Sequence, residues 1–174
     1  DFTENQKKEN SRLFEFFARG DNRNNGRIPM GYLLDHSVLF EAYPELFWTP
    51  ISFNAEDVGF EAAGQANPDG SIGLNPAIAF NDENSALSTL LHEVQHLIQE
   101  QEGFAKGSSM DRAALRQGWD YYDESQAIKD YQRTAGEIEA RDVQARRELT
   151  PEQRKSIAPY SSENIAPEDA IVMF

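Results

Sequence analysis

Leu87, Leu90, Leu91, Val94, Leu97 and Ile98 recur at the i, i+3, i+4, i+7 spacing of an amphipathic helix, and nothing else in the chain constrains the fold as tightly. Threaded through that stripe is His92-Glu93-Val94-Gln95-His96. Residues four apart stand on adjacent turns of one helix face, so both imidazoles can reach a single metal ion while Glu93, next to them, can handle a proton. At about 100° per residue the histidines point away from the leucines, toward a face shared with the small residues Ser85 and Thr89. One face is predicted to pack and the other to carry chemistry. Asn81 or Asp82 is suited to cap the start of this helix and Gly103 to end it. The competing reading is a solvated polar face on which two histidines happen to fall four apart. The chain has only one other histidine, His36, and the Glu stands where the chemistry needs it, which favours a metal.

The chain has no cysteine, so a zinc ion would be held by His and carboxylate alone. Catalytic zinc usually keeps three protein ligands and a water, which leaves one ligand to find. The metzincin continuation needs Gly at position 99 and His at 102, where this chain has Gln99 and Glu102. The third ligand is therefore expected to be a carboxylate from elsewhere, and Ala135-Gly136-Glu137-Ile138-Glu139-Ala140-Arg141-Asp142 is the best candidate segment. Residues two apart face different sides of a helix, so Glu137 and Glu139 are alternatives. Periodicity puts Glu139 on the stripe of Ile128, Tyr131 and Ala135 and Glu137 opposite it. Thr134-x-x-Glu137 also has the form of a capping box, which would give Glu137 a purely structural task.

The remaining chain reads as an α+β domain. Its 174 residues suffice for one domain with a substantial core, and residues 1–174 are taken as one. Asn5 to Arg19 reads as a short amphipathic helix, and Asp21 to Arg27 as a polar turn that lacks the alternating ligands of a calcium loop. Met30 to Phe40, leading into Tyr43-Pro44-Glu45-Leu46, reads as a core-building helix or two ended by proline, with His36 a hydrogen-bonded structural residue. Phe47–Phe53 and Ser71–Asn75 are predicted strands, joined through the turn Asn67-Pro68-Asp69-Gly70. Asp123 to Leu149 is predicted to be one long helix, or two broken at Gly136. The apolar end, Ala170 to Phe174, is expected to dock as a strand or lead into a linker.

A net charge of −14 disfavours nucleic acid as a partner, because binding a phosphate backbone depends on Lys and Arg. No apolar run has the length of a membrane span, so the chain is expected to be soluble. It opens on Asp1-Phe2-Thr3 rather than Met, which points to a piece of a longer polypeptide.

Several segments together resemble a known family. Leu91-His92-Glu93-Val94-Gln95-His96-Leu97-Ile98-Gln99-Glu100, Glu102-Gly103-Phe104-Ala105, and Tyr131 followed by Gly136-Glu137-Ile138-Glu139-Ala140-Arg141 are similar to a zincin-like domain of the large polyvalent proteins of phages and mobile elements. Leu39-Phe40-x-x-Tyr43-Pro44-Glu45-Leu46 and Arg146-Arg147-x-Leu149-Thr150 fit as well, whereas Ser108 stands where a second glycine after Gly107 is expected. The resemblance implies a zincin-like fold, mostly helical, with a small sheet before the metal helix and a second long helix carrying the third ligand. The spacing Glu137-x-x-Ala140 matches several zincin families, so it implies Glu137 as that ligand in a gluzincin-type site.

It further implies a zinc metallopeptidase, a hydrolase in which His92, His96 and Glu137 hold Zn²⁺ and Glu93 is the catalytic base. Tyr131, Tyr121 and Tyr122 are candidate oxyanion donors, although aromatic core packing is the more usual role for each. The partners implied are a peptide or protein substrate and the other domains of a parent polyprotein, located in a phage virion or the host cytoplasm. The alternative is a zincin-shaped binding or structural module of a large phage protein without peptidase activity. A third reading, weaker still, is an antirestriction or DNA-associated role belonging to the parent protein.

Overall fold

The computed structural model describes residues 12, 13, 15, 26–58, 62–79, 85–116, 123–161, 163 and 165–173. Among them the chain is α+β, with seven helices, several 3₁₀ turns and one four-stranded mixed sheet. It divides into two compact units, Asp1–Val94 and Gln95–Phe174.

The sheet belongs to the first unit. Its strands are β1 (Arg27–Pro29), β2 (Pro50–Ser52), β3 (Gly64–Ala66) and β4 (Ile72–Leu74), in the order β1-β2-β4-β3. β1 runs antiparallel to β2, β2 parallel to β4, and β3 antiparallel to β4. Ile51, Ile72 and Leu74 are fully buried with Met30, Leu33 and Leu34, which makes the two central strands the floor of this unit's core. β1 and β3 were not predicted. Each is only three residues long, and neither Arg-Ile-Pro nor Gly-Gln-Ala shows the β-branched alternation that marks a strand.

The predicted strand Phe47–Phe53 is shorter than expected. Pro44 opens a 3₁₀ turn, Pro44–Trp48, that takes in Phe47 and Trp48, and extended pairing begins only at Pro50. The rings of Tyr32, Phe40 and Trp48 all meet Phe47 edge-on, so packing of this aromatic cluster outweighs strand propensity there. The helix or two predicted from Met30 onward is two elements, a 3₁₀ turn at Met30–Tyr32 and helix α1 (Ser37–Ala42). His36 caps α1, its Nδ1 accepting the Leu39 amide at 3.2 Å, which is a structural role. A short helix α2 (Pro76–Ala79) follows β4.

Asn67-Pro68-Asp69-Gly70 is a turn, as its residues require, with Gly70 at φ +78°. It does not join the two predicted strands. It closes the β3–β4 hairpin, while β2 and β4 lie side by side in parallel. Asp69 organises it: the Ser71 hydroxyl and amide both donate to its Oδ1, and Arg27 of β1 donates to Oδ2 at 3.0 Å. Those donors, the Ser71 hydroxyl foremost, hold the carboxyl down at about 2. Because the folded value lies below the ordinary 3.8, the stabilisation is fully present above 3.8 and is lost as pH falls from there through about 2. Asp69→Asn is therefore expected to lower the melting temperature at neutral pH, with the gap to wild type closing in melts recorded below pH 4.

Helix α3 (Ser85–Glu102) is the predicted helix, and the division between the two units falls inside it. The expected caps Asn81 and Asp82 lie outside the described residues, as does most of the predicted helix Asn5–Arg19, of which Arg12, Leu13 and Glu15 are helical. Most of the polar turn Asp21–Arg27 also lies outside them.

The second unit continues with α4 (Met110–Arg116), α5 (Glu124–Gln132), α6 (Ala135–Arg146) and α7 (Pro151–Ser156). The stretch Asp123–Leu149 is thus two helices, and the break comes at Arg133 and Thr134, just before Gly136. Asp123 caps α5 through the Gln126 amide, and Thr150 with Gln153 forms a capping box on α7. The apolar end docks: Ile171 makes a parallel bridge to Thr134, and the Met173 carbonyl accepts the Lys106 amide at 2.7 Å. No helix among the described residues is long and apolar enough to cross a membrane.

Candidate metal centre

The stripe on α3 does what its spacing requires. Leu87, Leu90 and Val94 are buried, Leu91, Leu97 and Ile98 are half-buried, and Gly103 ends the helix at φ +69°. His92 and His96 stand one turn apart on the same helix, both half-buried.

Glu137, in the first turn of α6, completes a cluster: the ligand atoms of His92, His96 and Glu137 all lie within 4.8 Å of one another. His96 Nε2 is 3.4 Å from Glu137 Oε1, which also accepts the Ser108 amide at 2.8 Å. The capping box that Thr134-x-x-Glu137 suggested does not form. Thr134 turns its hydroxyl to the Asp130 carbonyl instead and makes no side-chain cap on α6. The periodicity that favoured Glu139 ran from Ile128 and Tyr131 on α5 across the break into α6, and a helical phase does not carry through a break. Counted on α6 alone, Glu137 falls among the buried positions with Gly136, Ile138 and Ala140.

Glu139 is engaged elsewhere. Its Oε2 accepts the Gln99 amide at 2.7 Å and its Oε1 the Tyr160 hydroxyl at 3.1 Å. Burial pushes the Tyr160 hydroxyl up, and the carboxylates of Glu139 and Asp142 add to that, so Tyr160 keeps its proton and remains a donor. Gln99, the residue that broke the metzincin pattern, is 1 % exposed and links His96 to α6. Neither Gln99 nor Tyr160 was singled out from the sequence as part of the site. The one available signal was the i, i+3 placement of Gln99 after His96.

Two imidazoles and one carboxylate form a donor set that fits a zinc-like divalent cation. Burial points the same way. Glu137 is 1 % exposed, and a buried carboxylate is costly unless donors or a positive charge compensate it, which a cation at this cluster would provide.

The loop before α4 comes close to these groups because two positions lack a side chain. A Cβ on Gly136 would stand 2.5 Å from the Lys106 carbonyl oxygen, so α6 meets this loop backbone to backbone. A Cβ on Gly107 would stand 2.6 Å from His96 Nδ1 and 2.7 Å from Glu137 Oε1. Gly107→Ala is therefore expected to displace both ligands and lower metal affinity by about 10–100-fold, the range typical of disturbed ligand support. Titration against a chelator of known affinity measures this.

Glu93 is 7 % exposed, and its Oε2 accepts the Ala66 amide of β3 at 2.8 Å. The strand before α3, β4, is paired on both sides, and among the described residues the edge strand beside Glu93 is β3. Of the candidate oxyanion donors, Tyr131 is half-buried in the last turn of α5, and Tyr121 and Tyr122 lie outside the described residues. No family model, curated protein or solved structure matches the chain.

Proposed function

We propose that this chain is a zinc-dependent metallopeptidase of gluzincin type with a zincin-like fold, a module of a phage or mobile-element polyvalent protein as its motifs suggest. The observation that carries the reading is the convergence of His92, His96 and Glu137, three ligands from separate positions in the chain, beside a Glu in the position of a general base. A zinc ion held there would supply Lewis acidity toward a scissile carbonyl and toward water. The chain's own residues do the rest. Glu93, adjacent to His92, takes a proton from the attacking water and returns it to the leaving amine. Ala66 holds the Glu93 carboxylate by one oxygen and so fixes its direction. Edge strand β3 lies next to Glu93; its Ala66 amide is taken by that carboxylate, so an extended peptide substrate would pair there through the remaining outward backbone groups.

One observation favours the binding or structural module instead: Glu93 is tied to a backbone amide, which by itself is a structural use of a carboxylate. Metal analysis of the purified chain, followed by cleavage of a peptide library with and without chelator, separates the two. The peptidase reading expects one zinc per chain and chelator-sensitive cleavage. A full complement of zinc with no peptide cut would favour the binding module.

A further inference from the structure

We propose that Gln99 is a positioning residue of this centre, holding the proton of His96 on Nδ1 so that the Nε2 lone pair is left for a cation held jointly with Glu137. The role given to that lone pair rests on the metal reading above, whereas the placement of the proton rests on hydrogen bonds alone.

A carboxamide has one accepting end and one donating end. The donating end of Gln99 is committed twice: Nε2 donates to the Gly136 carbonyl at 2.9 Å and to Glu139 Oε2 at 2.7 Å. Turned the other way, the amide would set its own oxygen against a carbonyl and a carboxylate oxygen, so its orientation is determined. The accepting end then lies 2.9 Å from His96 Nδ1. An amide oxygen cannot donate, so Nδ1 must carry the hydrogen, and the neutral ring keeps its lone pair on Nε2. Nε2 is the atom 3.4 Å from Glu137 Oε1.

Glu139 makes the arrangement rigid. It cannot move away from Gln99 without also leaving Tyr160, whose hydroxyl holds its other oxygen. The Gly136 carbonyl, the second anchor, lies immediately before Glu137, so one buried glutamine ties the ring of one proposed ligand to the backbone that carries another. The two neighbouring glutamates thus divide the work: Glu137 stands among the ligand atoms, and Glu139 orients what holds His96.

The test is ¹⁵N NMR of the metal-free full chain carrying labelled histidine, at a pH where imidazole is neutral. With three histidines in the chain, His96 is assigned by its loss in His96→Gln. The expected result is an Nδ1-protonated His96 in the wild type, shifting to the Nε2-protonated form in Gln99→Met. Gln99→Asn, which withdraws the acceptor from Nδ1 while keeping a polar side chain, is expected to shift the tautomer in the same direction. Cobalt(II) affinity is expected to fall about 10–100-fold in Gln99→Met.

A His96 protonated on Nε2 in the wild type overturns the proposal, as does an unchanged tautomer in Gln99→Met. Should Gln99→Met not fold, Gln99→Asn decides, since an unchanged tautomer there also overturns it. Because the tautomer is read without metal or substrate, a wild type that takes up no zinc or cuts no peptide would defeat the peptidase reading while this result stands on its own.

Discussion

Glu93→Gln is expected to leave zinc content and melting temperature close to wild type while cutting peptide hydrolysis by about 10²–10⁴-fold, the usual contribution of a positioned general base. The substitution is informative because of how Glu93 is held. Its Oε2 accepts the Ala66 amide, and a carboxamide oxygen can accept the same bond, so the contact with β3 survives the change. The ability to take up a proton does not survive. His92 and His96 keep their places on α3, and zinc content should follow them. If hydrolysis persisted at the wild-type rate, Glu93 would be a structural tether to the sheet edge and the base would have to be sought elsewhere. Kinetics on one cleaved library peptide, with metal analysis of the same preparation, gives both readouts.

The second large effect is expected at Glu137. Glu137→Gln removes the only charge among the three proposed ligands, so metal affinity should fall by more than the roughly 10–100-fold that follows from disturbing an outer partner. The metal-free protein should lose little stability, because a neutral amide at a position 1 % exposed avoids the cost of a buried carboxylate and can still accept the Ser108 amide. Glu139→Gln is the matched control. It lies two residues away and carries the same charge, but it faces Gln99 and Tyr160, so its metal affinity should fall by no more than the roughly 10–100-fold of a disturbed outer partner. Competition titration of both variants against a zinc chelator settles the assignment. Equal metal retention in the two would remove Glu137 from the site.

The contrast between these two glutamates shows how much of the site could be read in advance. The choice of Glu137 came from the family resemblance, and periodicity argued against it. Periodicity failed because it assumed one helix from Asp123 onward, and the chain breaks at Arg133 and Thr134. That break depends on partners far away in sequence: the Arg133 carbonyl accepts the Ile171 amide, and the Ala135 amide donates to the Ile171 carbonyl. Gly136 was read as a helix breaker, but its lack of a side chain serves the close approach of α6 to Lys106 and Gly107. The short strands β1 and β3 were missed for a related reason. Three-residue strands are selected by the partner they pair with, and their own side chains give little indication.

What the sequence by itself determined was the helix carrying His92, Glu93 and His96, together with the face they occupy. A 3.6-residue period is a local property of the backbone, and a run of leucines at that period can be buried in only one way. It also determined that any zinc must be held without cysteine, and it offered Ala135 to Asp142 as the best candidate segment for a third ligand. Only the tertiary structure decided that Glu137 joins the histidines while Glu139 turns to Gln99, that β3 and not β4 is the edge beside Glu93, and that Gly107 makes room for His96. Each of these depends on segments tens of residues apart meeting within hydrogen-bonding or van der Waals distance. Such meetings are set by packing and by the need to satisfy buried polar groups, and neither leaves a periodic mark in the chain.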